Sequence, residues 1–420
     1  MRATDSLSGN DVNKVGGTSV QSLGGQIVVS ADLDDHWDAN FGVGVYQLST
    51  SLGTQNQSTY EPNFLNATMF RAYIAQANLT YSLGAKSNPW FSVTAGNFAY
   101  DYNPDVKNLG LYMLRGPVYP GLLMSGFEEF DTDSTKGIQT GFKVHLSMGN
   151  FTQDVLLLNE RILPPLFDWS LAYAAKYRSF GALDVGGGVN FYRIVPNSKP
   201  LETPGHLNAN SLTATNYYEV GSGGDTTFFT HQGVKLMAMF SFDPKRWIAF
   251  SDILGAEDLK IYGEVAVLGL KNYGTYYDDV KERIPVMVGF NVPTFGILDV
   301  FSLEVEYYAS PFKNDLGNIG NPNAIVAPWM WQNALTPIAS PGPVSPGAYA
   351  DSTADNWKWS VFARKTVAKH IQFTAQIAND HTRPAPLVNS AAGIGTTGGT
   401  SAVLTSPKDW YFMGRVGFLF

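Results

Sequence analysis

The chain has 420 residues, of which 13% are aromatic and only 15% are charged, and it contains 42 glycines and no cysteine. Soluble domains carry roughly a quarter of charged residues, so this composition indicates a large apolar surface. The net charge of −8 argues against a nucleic-acid partner, because phosphate binding requires a basic face. The lack of cysteine excludes disulfide bonds and thiolate metal sites.

The apolar residues are dispersed in short segments. No stretch approaches the roughly 18 to 20 consecutive apolar residues of a membrane-spanning helix. The fold therefore has to be inferred from the spacing of the apolar residues. Residues 1–20 contain no apolar core of a signal peptide. If the protein is exported, we expect its export signal to have been removed already.

The dominant period along the chain is two. In the segment 167–177, Phe167, Trp169 and Leu171 begin an apolar series that alternates with Asp168, Ser170 and other polar or small residues. Alternate side chains of a strand leave opposite faces, so one face is apolar and the other is polar or small. The same alternation recurs at 137–148, 226–242 and 299–309.

Counting these segments predicts about 16 strands, with 14 or 18 left open. Short connections alternate with long ones, the asymmetry of an outer-membrane barrel. Two connections are exceptions: 161–165 is a short outer loop, and 243–257 is a long turn with room for one helical turn. The predicted strands are 3–10, 19–31, 37–48, 69–83, 90–100, 137–148, 150–160, 166–178, 183–195, 226–242, 258–270, 284–291, 299–309, 356–366, 370–379 and 409–420.

The alternative fold is a soluble β-sandwich, whose strands also alternate. In a sandwich, the outer faces carry dense surface charge. Here the second face has few charged residues and is rich in Gly, Ala, Ser, Thr, Gln and Tyr, which is typical of the wall of a lumen. The pattern therefore favours an all-β transmembrane antiparallel β-barrel, and we expect residues 1–420 to form this single domain, with its N-terminus and Phe420 on the same, periplasmic side.

The last segment of the chain resembles the C-terminal assembly signal of outer-membrane proteins. It ends on an aromatic residue, and alternate residues counted back from it form the outward face. The resemblance implies localisation in the bacterial outer membrane, recognition by the barrel-assembly machinery, and contact with outer-membrane lipid and lipopolysaccharide. The residues of this face are Trp410, Phe412, Gly414, Val416, Phe418 and Phe420.

The connection 101–136 lies where porins, which the chain resembles in architecture, fold a long loop into the barrel. Its middle is apolar at Leu109, Leu111, Met113 and Leu114, and its flanks are charged. The resemblance implies that this loop narrows the channel. A loop folded over the rim or onto a neighbouring subunit is the alternative. The candidate constriction residues are Asp101, Asp105, Lys107, Arg115, Glu128, Glu129, Asp131 and Asp133.

Strand parity points a further set of charges into the lumen. A charge on the lipid face costs roughly 2 to 4 kcal/mol at the midplane, so charges in phase with the polar face are predicted to meet water. Opposed basic and acidic arcs would create a transverse field, which we expect to favour small cations modestly; pairing among the charges, without selectivity, is the alternative. The predicted lumen-wall residues are Lys143, His145, Lys176, Arg178, Lys235, Glu264, Glu304, Glu306, Lys358, Arg364 and Arg415.

The sequence contains no recognisable enzyme motif and predicts no cofactor. None of the six histidines has the spacing of a helical zinc motif, and the glycines at 186–188 are not followed by the helix of a dinucleotide-binding loop. The predicted function is a porin that forms a water-filled channel for passive diffusion of small hydrophilic solutes and ions. We expect a homo-oligomer, with a trimer favoured. The alternative is a structural or adhesive surface protein that presents the long loops 196–225, 310–355 and 380–408 to a partner or polysaccharide.

Overall fold

The fold was analysed in a computed structural model of the chain. The structure describes residues 2–3, 20–50, 68–114, 126–127, 137–161, 166–202, 214–230, 232–247, 253–270, 280–308, 356–379 and 410–419. Among these residues, no helix is both long enough and apolar enough to span a bilayer.

Twenty strands follow one another in the described residues. In chain order they are β1 (Arg2–Ala3), β2 (Val20–Asp32), β3 (Trp37–Thr50), β4 (Thr68–Ala85), β5 (Asn88–Tyr100), β6 (Gly126–Phe127), β7 (Gly137–Met148), β8 (Phe151–Asn159), β9 (Trp169–Ser179), β10 (Leu183–Val195), β11 (Leu201–Glu202), β12 (Asn216–Val220), β13 (Thr226–Thr230), β14 (Gly233–Phe242), β15 (Ile261–Val267), β16 (Val286–Asn291), β17 (Val300–Tyr307), β18 (Trp357–Val367), β19 (Ile371–Ala378) and β20 (Trp410–Phe418).

The long strands pair antiparallel in chain order, each with the next along one sheet, and β20 also pairs with β1. Short turns lie at one rim and long connections at the other, as predicted. The long turn after β14 contains one short 3-10 helix, Pro244–Trp247, where the sequence left room for a helical turn. The prediction of an all-β barrel of about 16 antiparallel strands is confirmed.

Two details differ from the predicted layout. The predicted strand 226–242 is two strands, because β13 leaves the barrel sheet and forms a small three-stranded sheet with β11 and β12. Alternation continues through both pieces, so periodicity alone does not separate them. The expectation that both termini share one rim is wrong for the described residues: Arg2 and Ala3 pair with Tyr411 and Trp410, at the end of β20 remote from Phe418.

The sheet curls around an interior that is filled in one half. Buried side chains from β8, β9, β14, β15 and β16 form one apolar cluster with residues of the segment 101–114. Strands this far apart along a sheet can share one cluster only if the sheet is closed or strongly curved. Large apolar side chains of the same strands are exposed on the opposite face, among them Leu157, Phe240 and Val265.

The outward face is typical of a barrel in a lipid bilayer. Water cannot satisfy backbone groups inside a membrane, so a spanning sheet must close on itself and show lipid an apolar exterior. Aromatic pairs lie near both rims: Trp37 with Tyr81 at the short-turn rim and Tyr307 with Trp357 at the long-loop rim, with ring centroids 5.0 and 4.8 Å apart. The chain is thus a transmembrane barrel of the bacterial outer-membrane type.

Two glycines allow the sheet to bend at the base of the segment 101–114. Gly96 on β5 and Gly141 on β7 are register partners, with φ values of +117° and +146°. A Cβ atom would lie 2.1 Å from the Ala77 carbonyl oxygen at Gly96 and 2.0 Å from the Leu157 carbonyl oxygen at Gly141. Only glycine can occupy either position, because both the dihedral angle and the close approach exclude a side chain.

Cysteine labelling can test whether residue accessibility follows the structure or strand alternation alone. The chain has no cysteine of its own, so each introduced cysteine is the only one to react. We expect Lys176→Cys and Arg364→Cys to react with a membrane-impermeant maleimide, and Leu303→Cys to react only with a lipid-soluble reagent. Parity alone predicts that Glu304→Cys reacts like Lys176→Cys, whereas the structure buries Glu304 and predicts protection. Rapid labelling of Leu303→Cys by the water-soluble reagent would show that the register is shifted by one residue.

Candidate pore constriction

The segment 101–114 leaves β5 and enters the barrel instead of covering its rim. Its path begins with a turn in which the Asn103 N–H donates to the Asp101 carboxylate (2.9 Å) and the Val106 N–H donates to the Asn103 carbonyl (3.2 Å). It reverses at Gly110 and Leu111, whose φ values are +85° and +57°, and ends in a 3-10 turn at Tyr112–Leu114. We call residues 101–114 the inner segment.

Glu304 on β17 binds the middle of the inner segment. Its carboxylate accepts hydrogen bonds from three consecutive backbone N–H groups, those of Lys107, Asn108 and Leu109, at 2.6, 2.9 and 2.8 Å. The Tyr262 hydroxyl donates to the same carboxylate at 2.9 Å. Consecutive N–H groups that converge on one point form a cavity for an anion, and here a wall side chain fills that cavity.

Glu264 on β15 binds the end of the inner segment in the same way. One carboxylate oxygen accepts from the Tyr102 hydroxyl (2.6 Å) and the Tyr112 N–H (2.7 Å), and the other accepts from the Leu111 N–H (3.1 Å). Glu306, two residues beyond Glu304, accepts from the Tyr112 hydroxyl at 2.7 Å. Three wall carboxylates thus accept hydrogen bonds from backbone N–H groups and from two tyrosine hydroxyls of a segment that has no sheet partner.

Wall donors satisfy carbonyl groups at the same end of the segment. The Lys235 ammonium on β14 donates to the carbonyls of Tyr112 (3.2 Å) and Met113 (3.4 Å). The Asn190 amide on β10 donates to the Met113 carbonyl at 2.9 Å. Acidic wall residues therefore bind N–H groups and a basic one binds carbonyls, as the polarity of the backbone requires.

Gly188 on β10 makes room for the apolar side of the inner segment. A Cβ atom there would lie 2.6 Å from the sulfur of Met113 and 2.8 Å from the Tyr173 carbonyl oxygen. Val106, Leu111 and Met113 are buried in the cluster that includes Met237 and Met287. The glycines at 186–188 thus include one whose missing side chain lets the segment reach the wall.

Asp105 fastens the inner segment to the short-turn rim. Its carboxylate accepts from the Lys260 ammonium (2.8 Å) and from the Ser241 hydroxyl, and Lys260 also contacts Glu257 at 2.8 Å. Burial raises the pKa of Asp105, but the nearby Lys260 charge and the hydrogen bonds from Lys260 and Ser241 outweigh burial and leave this pKa below its ordinary value. The pKa of Lys260 is raised, because the Asp105 and Glu257 carboxylates outweigh its own burial.

The structure describes three of the eight predicted constriction residues. Asp101, Asp105 and Lys107 lie in the inner segment. Asp105 binds Lys260 and Ser241, and its charge also acts on Arg178 of the predicted basic arc. The expectation that Lys107 faces the channel is wrong: the residue is buried, and its ammonium donates to the Pro104 carbonyl at 3.0 Å. The remaining candidates lie outside the described residues: Arg115, Glu128, Glu129, Asp131 and Asp133.

The predicted wall charges divide into two groups. All face inward, as strand parity predicts, but the prediction that every one meets water is wrong. The covered residues are Lys235, Glu264, Glu304, Glu306 and Lys358, each no more than 4% exposed. The half-buried or exposed residues are Lys143, His145, Lys176, Arg178, Arg364 and Arg415. For Lys235, Glu264, Glu304 and Glu306 the physical reason is the inner segment, to which all four are hydrogen-bonded.

Two pairings between inward-facing side chains of β7 to β10 escaped the sequence analysis. His145 Nδ1 lies 2.7 Å from the Asp154 carboxylate, which also accepts from the Tyr100 hydroxyl at 3.1 Å. Arg178 binds Asp184 through two hydrogen bonds of 2.7 and 2.9 Å. A signal for the first pair was available, because counting outward from the tight turn 149–150 makes His145 and Asp154 register partners.

The C-terminal strand has the predicted faces. Phe412, Val416 and Phe418 are exposed on the outward side, and Met413 and Arg415 between them are half-buried. Phe420, the last residue of the predicted assembly signal, lies outside the described residues. Among the described residues, no group of three His, Asp or Glu side chains is arranged to hold a metal ion.

Comparison with known proteins finds similarity in structure only. No family model matches the chain, and no curated protein matches it. A mutant of the Rh. blastica porin is 9% identical, with a TM-score of 0.40 over 95% of this chain and 91% of that chain. A loop-deletion mutant of OmpT, an outer membrane protein of Vibrio cholerae, is 9% identical, with a TM-score of 0.37 over 96% of this chain and 99% of that chain. Values this low carry no argument about what this chain conducts or binds.

Removal of the Glu304 carboxylate should release the inner segment. Glu304→Ala leaves three backbone N–H groups without an acceptor, and we expect the free energy of unfolding in urea to fall by on the order of 3 kcal/mol or more. Glu304→Gln keeps one acceptor oxygen and should lose less. Trypsin cleavage after Lys107, detected by mass spectrometry, reports the release directly. Glu202→Ala, on the small outer sheet, is the matched control, and equal cleavage of both alanine variants would contradict the anchoring role.

The Asp105–Lys260 contact should make the stability depend on pH. A carboxyl group with a lowered pKa stabilises the fold above its unfolded-state value of about 3.9, and this contribution is lost as the pH falls through the folded-state pKa. We therefore expect Asp105→Asn to cost about 1 to 2 kcal/mol in free energy of unfolding near neutral pH. The difference from the unsubstituted protein should shrink in acid. A difference that stays constant across the titration would show that the charge of Asp105 contributes nothing.

Proposed function

We propose that the protein is a porin that forms a water-filled channel for passive diffusion of small hydrophilic solutes and ions. The observation that carries the proposal is the inner segment, which is bound along one side of the barrel interior and leaves the opposite wall uncovered. A segment held in this way narrows a channel without filling it. Its hydrogen bonds to Glu264 and Glu304 keep it there when water fills the remaining lumen.

The uncovered wall has the chemistry that a hydrated solute path requires. Polar side chains on the inner face of neighbouring strands form a ladder in which Ser30 donates to Asn40 (2.6 Å) and Asn40 donates to Asn78 (3.1 Å). Thr80 and Thr94 continue this surface, 3.0 Å apart. Groups of this kind exchange hydrogen bonds readily with water, so solutes can pass along them without strong binding.

We further propose that residues 1–420 form this one barrel domain and that it assembles as a homo-oligomer, with a trimer as the favoured form. The outward residues of β20 support recognition by the barrel-assembly machinery, and the apolar exterior supports contact with lipid and lipopolysaccharide. Chemical cross-linking in detergent tests the oligomer, and loss of membrane insertion in Phe418→Ser tests the assembly signal.

A second candidate function is adhesion, and one observation favours it. The small sheet β11–β13 stands in the long connection between β10 and β14, with Phe228 75% exposed and 5.8 Å from the ring of Tyr218. The connection is anchored at its base by Asp168, which binds Arg193 at 3.1 Å in a fully buried ion pair. An ordered aromatic surface above the rim suits a partner or polysaccharide. This role does not require a conducting lumen.

Conductance in a planar bilayer separates the two functions. The purified protein should give discrete current steps that grow in proportion to salt concentration, as a water-filled pore does. Liposomes that contain it should also swell in small sugars and not in large ones. A folded, inserted protein without current would refute the porin proposal and leave adhesion standing.

Deletion of residues 106–126 should raise the single-channel conductance while the barrel stays folded. The deletion removes most of the inner segment, so the narrowest section of the channel should widen. The carboxylates of Glu264 and Glu304, which the segment covers, should then become hydrated. Far-ultraviolet circular dichroism and heat-dependent gel mobility check the fold. Unchanged conductance in a folded variant would mean that the segment does not set the width of the pore.

A further inference from the structure

We infer that the open part of the lumen is electropositive and that the pore favours small anions, such as carboxylates and inorganic phosphate, over cations. This inference rests on the proposed function and names its substrate class. It reverses the weak cation preference that the net charge and the predicted acidic arc suggested.

First, the three glutamates of the predicted acidic arc do not line the solute path, because they are buried. Glu264, Glu304 and Glu306 are only 3%, 1% and 4% exposed. Their oxygens accept hydrogen bonds from the inner segment and from Tyr262. A carboxylate so enclosed does not contact a passing ion, and the dipoles of the N–H groups that bind it offset its field.

The second step is the basic strip that stays uncovered. We use this name for Lys143 on β7 together with Lys176 and Arg178 on β9. The side chains of Lys176 and Arg178 are 30% and 53% exposed, and Lys143 is half-buried with its ammonium 5.8 Å from the ring centre of Phe98. All three have the inward parity of their strands, and β8 alone separates β7 from β9.

The carboxylates on the same wall are already engaged. Asp154 accepts from His145 and Tyr100, and Asp184 accepts two hydrogen bonds from Arg178 and lies 3.9 Å from Lys176. Among the described half-buried or exposed inner-face residues of β7 to β10, three cations therefore face two carboxylates.

Across the sheet, the uncovered charges of β18 and β20 are also basic. Arg364 and Arg415 both face Thr374 of β19 in register, so the three residues form one row on the inner wall. Both arginines are half-buried. The described, uncovered inner-face charges of β18 to β20 thus have the same sign as the excess on β7 to β10.

The field in a narrow pore depends on the charges that line it and not on the net charge of the whole protein. Screening limits exposed charges to about 8 to 10 Å at moderate salt, so the acidic groups of remote rims contribute little to the lumen. Low-dielectric walls concentrate the field of nearby charges on the solute path. A basic excess on an otherwise polar wall therefore raises the local concentration of anions.

The test is the permeability ratio of chloride to potassium, measured from the reversal potential of the full-length protein in a planar bilayer under a KCl gradient. We expect a ratio of roughly two or more at low ionic strength, which falls towards one as salt is raised. The variant Lys143→Gln/Lys176→Gln removes two cations and keeps the Arg178–Asp184 pair. It should lower the ratio about twofold or more without changing the fold.

The matched control is Lys199→Gln/Arg246→Gln, which also removes two cations, one from the outer connection and one from the turn after β14, both exposed outside the barrel strands. Its ratio should equal that of the unsubstituted protein. A conducting protein that prefers potassium, or an equal effect of both double variants, would overturn the inference and leave the porin proposal intact. Absence of any conductance in the inserted protein would refute the proposed function itself.

Discussion

The capture of backbone N–H groups by wall carboxylates is the interaction on which the rest of the interior depends. A segment inside a barrel has no neighbouring strand, and each unpaired buried N–H group costs free energy comparable to a lost hydrogen bond. A buried carboxylate has the opposite need, for donors that replace water. Glu304 and Glu264 meet both needs at once, because each receives several donors from the inner segment or the adjacent wall. Neither partner would be stable in its position without the other.

The same interaction decides which charges remain available to solutes. The wall carboxylates that bind the inner segment are enclosed, so their negative charge is removed from the lumen. Lys176 and Arg178, which lie on β9 beyond its buried residues Ala172 and Ala174, keep contact with water. A chain with a net charge of −8 can therefore contain an electropositive path. Structural anchoring and ion preference are thus coupled, and substitution of an anchoring glutamate would alter both the width and the charge of the pore.

The barrel itself depends on a few positions where a side chain cannot be accommodated. Gly96 lets β5 approach the Ala77 carbonyl of β4, Gly141 lets β7 approach the Leu157 carbonyl of β8, and Gly188 lets Met113 lie against the wall. These glycines have different physical reasons: the first two adopt left-handed backbone angles, whereas the third leaves space for a neighbouring side chain.

Alternation by itself determined the strands, their faces and the class of fold, because a period of two depends only on local backbone geometry. The predicted strands 137–148 and 183–195 agree with the structure to the residue. The same local signal could not show that β13 leaves the barrel sheet, since alternation is equal in both sheets. Nor could it show that Glu304 is covered while Lys176 is open. Glu304 contacts residues almost 200 positions away in the chain, the Lys107 N–H being separated from it by 197 residues. Only the tertiary path of the inner segment decides which inward-facing charges meet water, because that path is set by hydrogen bonds between strands and a loop that no periodicity relates.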